Sequence, residues 1–444
     1  MTFVNAVRPV RGEPMRPEWT VLLIGHTAET VRKAKDLGLD VILVQHRDKL
    51  EGAQAGLADV TLVADFTDES VAGPLIEAAH RIWRFSAAIS LTETGLTAAG
   101  RANDLFGLGG TGHHATSLLR DKLAMREHLA ANGAPAVAAR ALTGRADLLP
   151  FGADHGYPFV VKPVDLGAGF GIQLVRGPAD AERVWATVER LRRRGRLDKG
   201  TTLYQARDFF MEEYIGGPEF SVESFSFAGR HQVIAITEKL VDPGHFCELG
   251  HAMPARLNPV DEARIVAATA EFLDLVGIRD GPAHTELRLS QRGPLIIESH
   301  NRPGGGHIPE LVQRVYGVDL GAYTLGWPFG LVPEITARPA PRGAAAARAV
   351  VAGPGRISRL DGVAELAARP DVVTVAITAQ VGQIVPPVHD NWDRLGMVAV
   401  EAGDADTAVK LCEEAVRDGL TVEIEPLAEA HQDTVACELA EETA

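Results

Sequence analysis

Between Gly281 and Gly306 the chain reads GPAHTELRLSQRGPLIIESHNRPGGG, and this stretch restricts the fold more than any other. His284–Leu289 and Leu295–Ser299 read as two short strands flanking the turn-forming triplet Gln291-Arg292-Gly293, so they are expected to fold back as a hairpin. With the hairpin centred on Arg292, Glu286 and Glu298 stand equally far from the turn and become cross-strand neighbours. Like charges facing each other across a ladder destabilise it by roughly 0.2–1 kcal/mol, and by more once desolvated. Two hard oxygen donors at that separation suit Mg²⁺, with phosphate oxygens filling its other positions. Arg302, four residues beyond Glu298, adds a fixed cation. A solvated face explains two strand glutamates equally simply, so the remainder of the chain has to decide.

The 444 residues allow two to four domains, and 46% hydrophobic content is ample for packed cores. A formal net charge of −15 argues against a nucleic-acid backbone or an anionic membrane as the main partner. Cys247, Cys412 and Cys437 are far apart and match no metal spacing, which points to a reducing cytoplasm and to incidental packing roles. Met1–Trp19 carries three arginines and three prolines without an apolar core, so it is expected to be a mobile tail and not a signal peptide. No run of about 18 apolar residues predicts a membrane helix, and the acidic stretch Pro426–Ala444 is expected to be loosely ordered.

From Thr20 onward apolar strands alternate with helical stretches: Val21–Ile24, Glu29–Leu37, Val41–Val44, Val71–Phe85 and Ala87–Leu91. That is βαβ logic and implies a parallel sheet. The first turn, Gly25-His26-Thr27, lacks the G-x-G-x-x-G spacing of a dinucleotide site, which disfavours a Rossmann oxidoreductase. Asp65, Thr92 and Glu93 fall at the carboxyl edge of this sheet, where ligands bind, although capping or solvation explains them as well. A helix is expected over Thr116–Ala131, ended by Asn132-Gly133, then strands near Ala141 and over Pro158–Lys162, and a helix over Pro178–Arg194. The basic turn Arg192–Arg196 reads as a solvated helix end. Period-2 alternation through Phe220–Phe227 argues an antiparallel sheet. Arg338–Ala347, ARPAPRGAAA, looks like a linker into a last unit with strands at Ala349–Val351, Val372–Ile377, Met397–Val400 and Thr421–Ile424 and a helix at Asp404–Arg417.

Lys162 closes a strand and is followed by Gly167-Ala168-Gly169-Phe170-Gly171. A lysine beside so slender a loop can neutralise and cover phosphates, the loop donating backbone N–H groups. Lys122, on a helix, is by itself an ordinary solvent-exposed lysine. In Phe210–Glu219, FMEEYIGGPE, an extended segment can read an adenine edge and Glu219 can accept from ribose hydroxyls; a strand ending in a surface turn is the alternative.

In order and spacing, Lys122, Lys162 with its glycine loop, EEYIGGPE, Glu286 and Glu298…Arg302 resemble the ATP-grasp superfamily. The resemblance covers about Thr20–Leu331, and the last unit resembles that of the L-amino-acid ligase group, the bacilysin synthetase-like enzymes. It implies an α/β and α+β ATP-grasp fold in which the nucleotide lies between two α+β subdomains: a tail to residue 19, an N-terminal parallel-sheet domain over 20–115, a small lid subdomain over 116–205, a large subdomain over 206–337, a small C-terminal α+β subdomain over 338–425 and a tail to 444. It further implies that Lys122, Lys162, Gly167, Gly169 and Gly171 hold ATP phosphates and that Glu212, Glu213, Tyr214 and Ile215 hold adenine. Glu219 takes the ribose, Glu286 and Glu298 take Mg²⁺ (or Mn²⁺), and Arg302 takes the acyl-phosphate. One position departs from the family's E-x-N-x-R: His300 stands where asparagine is expected, so a water or Asn301 completes the metal site, or His300 contacts substrate. In the segment Glu238-Lys239…Glu248-Leu249-Gly250-His251, similar to the E-x-G-H-x-x-P element of amino-acid ligases, Glu248 is expected to hold an amino group and His251 a carboxylate or the reacting centre. Gly304 and Gly305 let backbone approach the acyl-phosphate, and Asn391–Gly396 borders the acceptor pocket.

The function expected from this resemblance is an ATP-dependent carboxylate–amine ligase: ATP phosphorylates a carboxylate, an amine attacks the acyl-phosphate, and ADP and phosphate leave. The partners are a small-molecule carboxylate and amine, amino acids above all, with neither nucleic acid nor membrane and with a homodimer left open. Rival expectations are a carboxylase or formate-using synthetase of the same superfamily, and a non-catalytic nucleotide-binding protein in which His300 marks lost metal chemistry.

Overall fold

A computed structural model describes residues 6–7, 15–194, 197–199 and 202–427. Thr20–Ile24, Asp40–Gln45, Val60–Val63 and Ala87–Ile89 pair in parallel, and Ala6–Val7 adds an antiparallel edge. Every residue of Thr20–Ile24 is wholly buried, as expected where helices cover both faces of a parallel sheet. Helix Glu69–Trp83 starts where Asp68 accepts from the Ser70 N–H and stops where Arg84 turns left-handed. The expected tail is partly ordered: Pro17–Trp19 form a helical turn and Trp19 stacks on Phe329. Residues 1–5 and 8–14 of the first expected tail and 428–444 of the second, with Cys437 and the end of the basic turn at Gly195-Arg196, lie outside the described residues.

The single helix expected over Thr116–Ala131 is two helices, His113–Arg120 and Lys122–Ala131. Asp121 breaks it by adopting extended backbone and capping the second helix at the Ala124 N–H. This break makes Lys122 the first helical residue and turns it inward, where it is buried and not solvent-exposed as expected.

A four-stranded antiparallel sheet follows, Ala139–Leu142, Phe209–Glu213, Phe159–Pro163 and Gln173–Val175 in spatial order, with helices Leu148–His155 and Ala181–Arg193 packed on its core. The largest sheet is antiparallel throughout and ordered Gly293–His300, Gly281–Ser290, Glu219–Phe227, Arg230–Val241, Glu248–Met253, Ala344–Val350, Gly396–Ala402, Val372–Ile377. Helix Pro259–Val276 covers one face, and helices Ile308–Tyr316 and Leu320–Gly326 cover part of the other. The expected linker ends early. Ala344–Ala347 are strand residues, with Ala345 and Ala347 packed toward one cluster and Ala344 and Ala346 toward another under helix Ala405–Gly419. Small side chains that read as a linker are what allow that helix and the sheet to approach. Three strands of the last unit therefore extend the large sheet, while Ile384–Val385, Gly355–Asp361 and Thr421–Glu425 form a separate small one.

The hairpin turn spans Ser290 to Gly293, one half-step from the expected centre. A bulge at Glu286/Leu287 restores the register, so Glu286 and Glu298 are cross-strand partners after all.

Candidate active site

Period 2 builds the site on one face of the large sheet. Cross-strand partners point the same way, so Lys239, Glu219 and Arg288 form one row, Ser221, Glu286 and Glu298 the next, and Glu223, His284 and His300 a third. The opposite face carries Phe220, Val222 and Leu287 in the core. A cavity of about 260 Å³ opens over this polar grid and is lined also by Lys162, Gly167–Phe170, Glu93, Arg302, Gly305, Gly306 and Arg394.

Each buried carboxylate in the grid is met by a cation. Glu286 lies 2.5 Å from Lys239 Nζ and 3.0 Å from His284 Nε2. Burial pushes its carboxyl up, but Lys239 and His284 hold it well below the ordinary carboxylate range. Glu298 is 2.9 Å from Lys122 Nζ, and against burial Lys122 and His300 likewise keep it ionised. Lys239, wholly buried, also pairs with Glu248 and lies 3.7 Å from Glu219; these three carboxylates raise its ammonium pKa although burial lowers it. Glu223 pairs with His284 at 2.5 Å and accepts from the Gly304 N–H, and despite burial the pair raises the imidazole to about 9. A Cβ at Gly304 would meet His284 Nδ1 at 2.7 Å, so only glycine lets that backbone come so close.

Lys162 is 2.8 Å from Glu212, whose other oxygen takes Arg126 Nε at 2.7 Å. Both cations hold the Glu212 carboxyl down against burial. The Glu212 side chain is thus engaged in orienting Lys162, and that of Glu213 pairs with Arg292 at 2.8 Å, so neither carboxylate points into the cavity as a free adenine reader. Both residues line the cavity together with Tyr214 and Ile215. Arg288 binds Glu219 at 3.0 Å, the Ile215 carbonyl at 2.8 Å and the Tyr214 hydroxyl at 3.2 Å, fixing the expected nucleoside end as one unit. Lys122 donates to the Leu166 carbonyl at 2.7 Å, which ties it to the glycine loop. Gly167 and Gly169 line the cavity, whereas Gly171 packs against Pro163 and Leu191 and is not part of the lining.

Glu248 lines the cavity, but His251 is set behind Gly306, with both ring nitrogens unbonded and its nearest carboxylate oxygen, on Glu248, 3.8 Å away. Burial pushes its pKa down to about 4. His300 faces Glu93 at 3.3 Å and Glu298 at 3.5 Å, and burial lowers its pKa as well. Asn301 turns the other way, toward Thr116, and does not join Glu298.

Lys239, Arg126 and Arg288 carry no site role in the sequence reading, whereas Glu93, expected at the ligand-binding edge of the parallel sheet, and Arg394, inside the expected pocket border Asn391–Gly396, both line the cavity. Glu93, at the carboxyl edge of the parallel sheet, reaches Arg120 at 3.0 Å and Arg302 at 3.7 Å. Against burial, His300, Arg120, Arg302 and Lys122 hold its carboxyl at about 2. Lys239 was legible in principle: a lysine one residue after Glu238, in phase with the inward positions of an alternating strand. Arg126 had no such signal.

The donor set fits a hard divalent cation: the half-buried carboxylates of Glu286 and Glu298 are cross-strand partners on the cavity face and offer oxygen ligands, with room above for phosphate. Among the described residues no third carboxylate, histidine or cysteine completes a cage of protein ligands, as expected where phosphate supplies the rest of the shell.

Residues 155–310 match a family model of the ATP-grasp domain, and residues 348–425 match the L-amino acid ligase C-terminal domain 2. The alanine–anticapsin ligase of Bacillus subtilis is 27% identical over 51% of this chain and 50% of its own length. The L-arginine-specific L-amino acid ligase of Bacillus subtilis is 26% identical over 63% of this chain and 66% of its own length. The chain thus aligns with half to two-thirds of these curated relatives. The crystal structure of an L-amino acid ligase from Bacillus licheniformis superposes with a TM-score of 0.75 at 23% identity, covering 91% of this chain and 98% of that one, which shows the shared fold. The chain therefore carries an ATP-grasp domain joined to an L-amino acid ligase C-terminal domain.

Proposed function

We propose that the chain joins the carboxylate of one amino-acid-like substrate to the amine of another through an acyl-phosphate, at the expense of ATP going to ADP and phosphate. The observation that carries this reading is the convergence of three kinds of group on one cavity: phosphate-type cations (Lys122, Lys162), facing carboxylates (Glu286, Glu298) and an unlike set of charges (Glu93, Glu248, Arg302, Arg394) beside them. The first two sets serve phosphoryl transfer, and the third suits zwitterions.

In this reading Lys162, held by Glu212, and Lys122, held by Glu298, position the phosphates under the glycine loop. Glu286 and Glu298 would hold Mg²⁺, which when bound would neutralise charge on the transferring phosphoryl group. A carboxylate oxygen attacks the γ-phosphorus, the bond to the β–γ bridging oxygen breaks, and ADP leaves. Arg302 then faces the acyl-phosphate oxygens. The amine attacks the carbonyl carbon, the C–O bond to phosphate breaks, and the departing phosphate takes the amine proton. Glu93, held at about 2, is a poor acceptor for that proton and serves better as a charge partner for a substrate amine. Glu248 makes the second such contact, and His251 acts by backing it.

The C-terminal domain match favours amine ligation over the carboxylase and formate-using alternatives. The test is a phosphate-release screen of amino-acid pairs with ATP and Mg²⁺, followed by chromatography of the nucleotides. ADP formed only with particular pairs supports the reading; AMP and pyrophosphate contradict it.

A further inference from the structure

The turn Asp390–Arg394 belongs to the last unit of the chain, yet its contacts are with two loops of the site. The Asn391 N–H donates to the Ala168 carbonyl in the glycine loop at 2.9 Å. The Asn391 side-chain oxygen accepts from the Glu248 N–H at 2.7 Å. Arg394 braces the pair, donating through Nε to the Asn391 carbonyl at 2.8 Å and through Nη1 to the Glu248 carbonyl at 3.2 Å. Trp392 packs on Phe170 of the glycine loop with ring centroids 5.0 Å apart and joins the hydrophobic core of the lid subdomain.

The backbone at this junction is strained. Ala168 has φ of 62° and Phe246, in the loop before Glu248, has φ of 60°, both left-handed conformations that side chains other than glycine seldom adopt. The two loops meet closely: a Cβ on Gly169 would lie 3.0 Å from the Phe246 carbonyl oxygen and 4.0 Å from Asp390 Cβ. Strained residues persist only where neighbours overdetermine them; the C-terminal turn holds Ala168 directly, through the Asn391 N–H, while Phe246 bonds to the Asp242 carbonyl and faces Gly169.

We infer that Asn391 and Trp392 are positioning residues that clasp the phosphate-covering loop to the substrate loop, so that the lid closes fully only with both loops in place. This rests on the ligase reading, in which a closed lid keeps water from the acyl-phosphate. An open lid lets water replace the amine: water attacks the acyl-phosphate, the original carboxylate and phosphate are released, and ATP is consumed without amide.

The experiment compares the full-length chain with the double variant Asn391→Ala/Trp392→Ala and with Trp392→Phe, all with Mg²⁺ and a non-hydrolysable ATP analogue. Hydrogen exchange is read on peptides spanning Gly167–Gly171 and, as a folding control, on Thr20–Ile24. The double variant loses the Glu248 bond to the Asn391 side chain and the Trp392 contact with Phe170, while the backbone Asn391 N–H still reaches the Ala168 carbonyl; freeing Phe170 is expected to speed exchange of the loop roughly tenfold, with Thr20–Ile24 unchanged and Trp392→Phe close to the parent. Once a substrate pair is known, the double variant is expected to release ADP in at least twofold excess over amide, whereas the parent releases them in equal amounts. Unchanged loop exchange in the folded double variant overturns the clasp. A parent that forms no amide with any pair overturns the ligase reading instead, and the exchange result stands apart from it.

Discussion

Lys239 is the cation on which three half-buried carboxylates depend, and replacing it with methionine, similar in length and uncharged, isolates that dependence. Its ammonium pairs with Glu248 and Glu286 and lies 3.7 Å from Glu219. A single contact at about 3 Å is worth roughly 5 kcal/mol at an effective dielectric of 20, so three summed naively far exceed any plausible effect. Two terms reduce the total. Burying the ammonium carried its own desolvation cost, which the variant no longer bears, and each carboxylate keeps a second partner: Arg288 at 3.0 Å for Glu219, His284 at 3.0 Å for Glu286 and Arg394 at 3.8 Å for Glu248. Breaking a buried pair typically costs about 3–5 kcal/mol, and with those second partners the expectation is the lower end, about 3 kcal/mol. Urea unfolding of parent and variant under identical conditions measures it. A loss below about 1 kcal/mol would show that Lys239 does not hold the grid together.

Three further outcomes follow from the same geometry. Glu298→Gln or Glu286→Gln is expected to lower turnover roughly a hundredfold or more, since each removes half of the metal-binding charge; near-parental turnover at limiting Mg²⁺ in a variant with parental circular dichroism refutes the metal role. Glu248→Ala is expected to lower kcat/KM for one amino acid roughly ten- to hundredfold, the worth of a charge-assisted hydrogen bond, and calorimetry showing mainly weaker ATP binding would contradict it. His26 is buried under the parallel sheet with its ring pushed down to about 4 by burial, against a bond to the Ile89 carbonyl at 3.2 Å. The unfolded chain therefore takes up this proton first: stability is full above about 6.5 and declines as pH falls toward 4, by up to about 3 kcal/mol. His26→Asn should flatten that decline, and parallel pH curves for parent and variant would count against it.

Much of the architecture was legible because it follows from periodicity. Continuous apolar runs became parallel strands, and the alternating Phe220–Phe227 became the centre of the antiparallel sheet. The Glu286–Glu298 pairing was foreseen, yet it depends on a bulge that pattern alone does not show, since a regular ladder from the true turn would set Glu286 against Ile297. Taken alone, Lys122 reads as an ordinary surface lysine because periodicity does not show the helix break at Asp121, a capping event, and only the family resemblance sets it at the phosphates. The alanines at 344–347 were taken for a linker because small side chains look the same in a loop and in a tightly covered strand. Glu93 reads from sequence only as one of three residues at a ligand-binding sheet edge, and Arg126 and Lys239 carry no site role there at all, for a different reason. What makes each part of the site is a partner far along the chain, which local sequence does not show: Arg302 for Glu93, Glu212 for Arg126 and Glu286 for Lys239.

The central claim is that a carboxylate is activated as an acyl-phosphate within this cavity, and oxygen transfer tests it most directly. The carboxylate substrate is labelled in both carboxyl oxygens with ¹⁸O and turned over with ATP, Mg²⁺ and the amine, and the released phosphate is analysed by mass spectrometry. Activation at the γ-phosphorus transfers one carboxyl oxygen to each phosphate, so singly labelled phosphate should appear in step with ADP and amide. Unlabelled phosphate alongside amide would contradict the account.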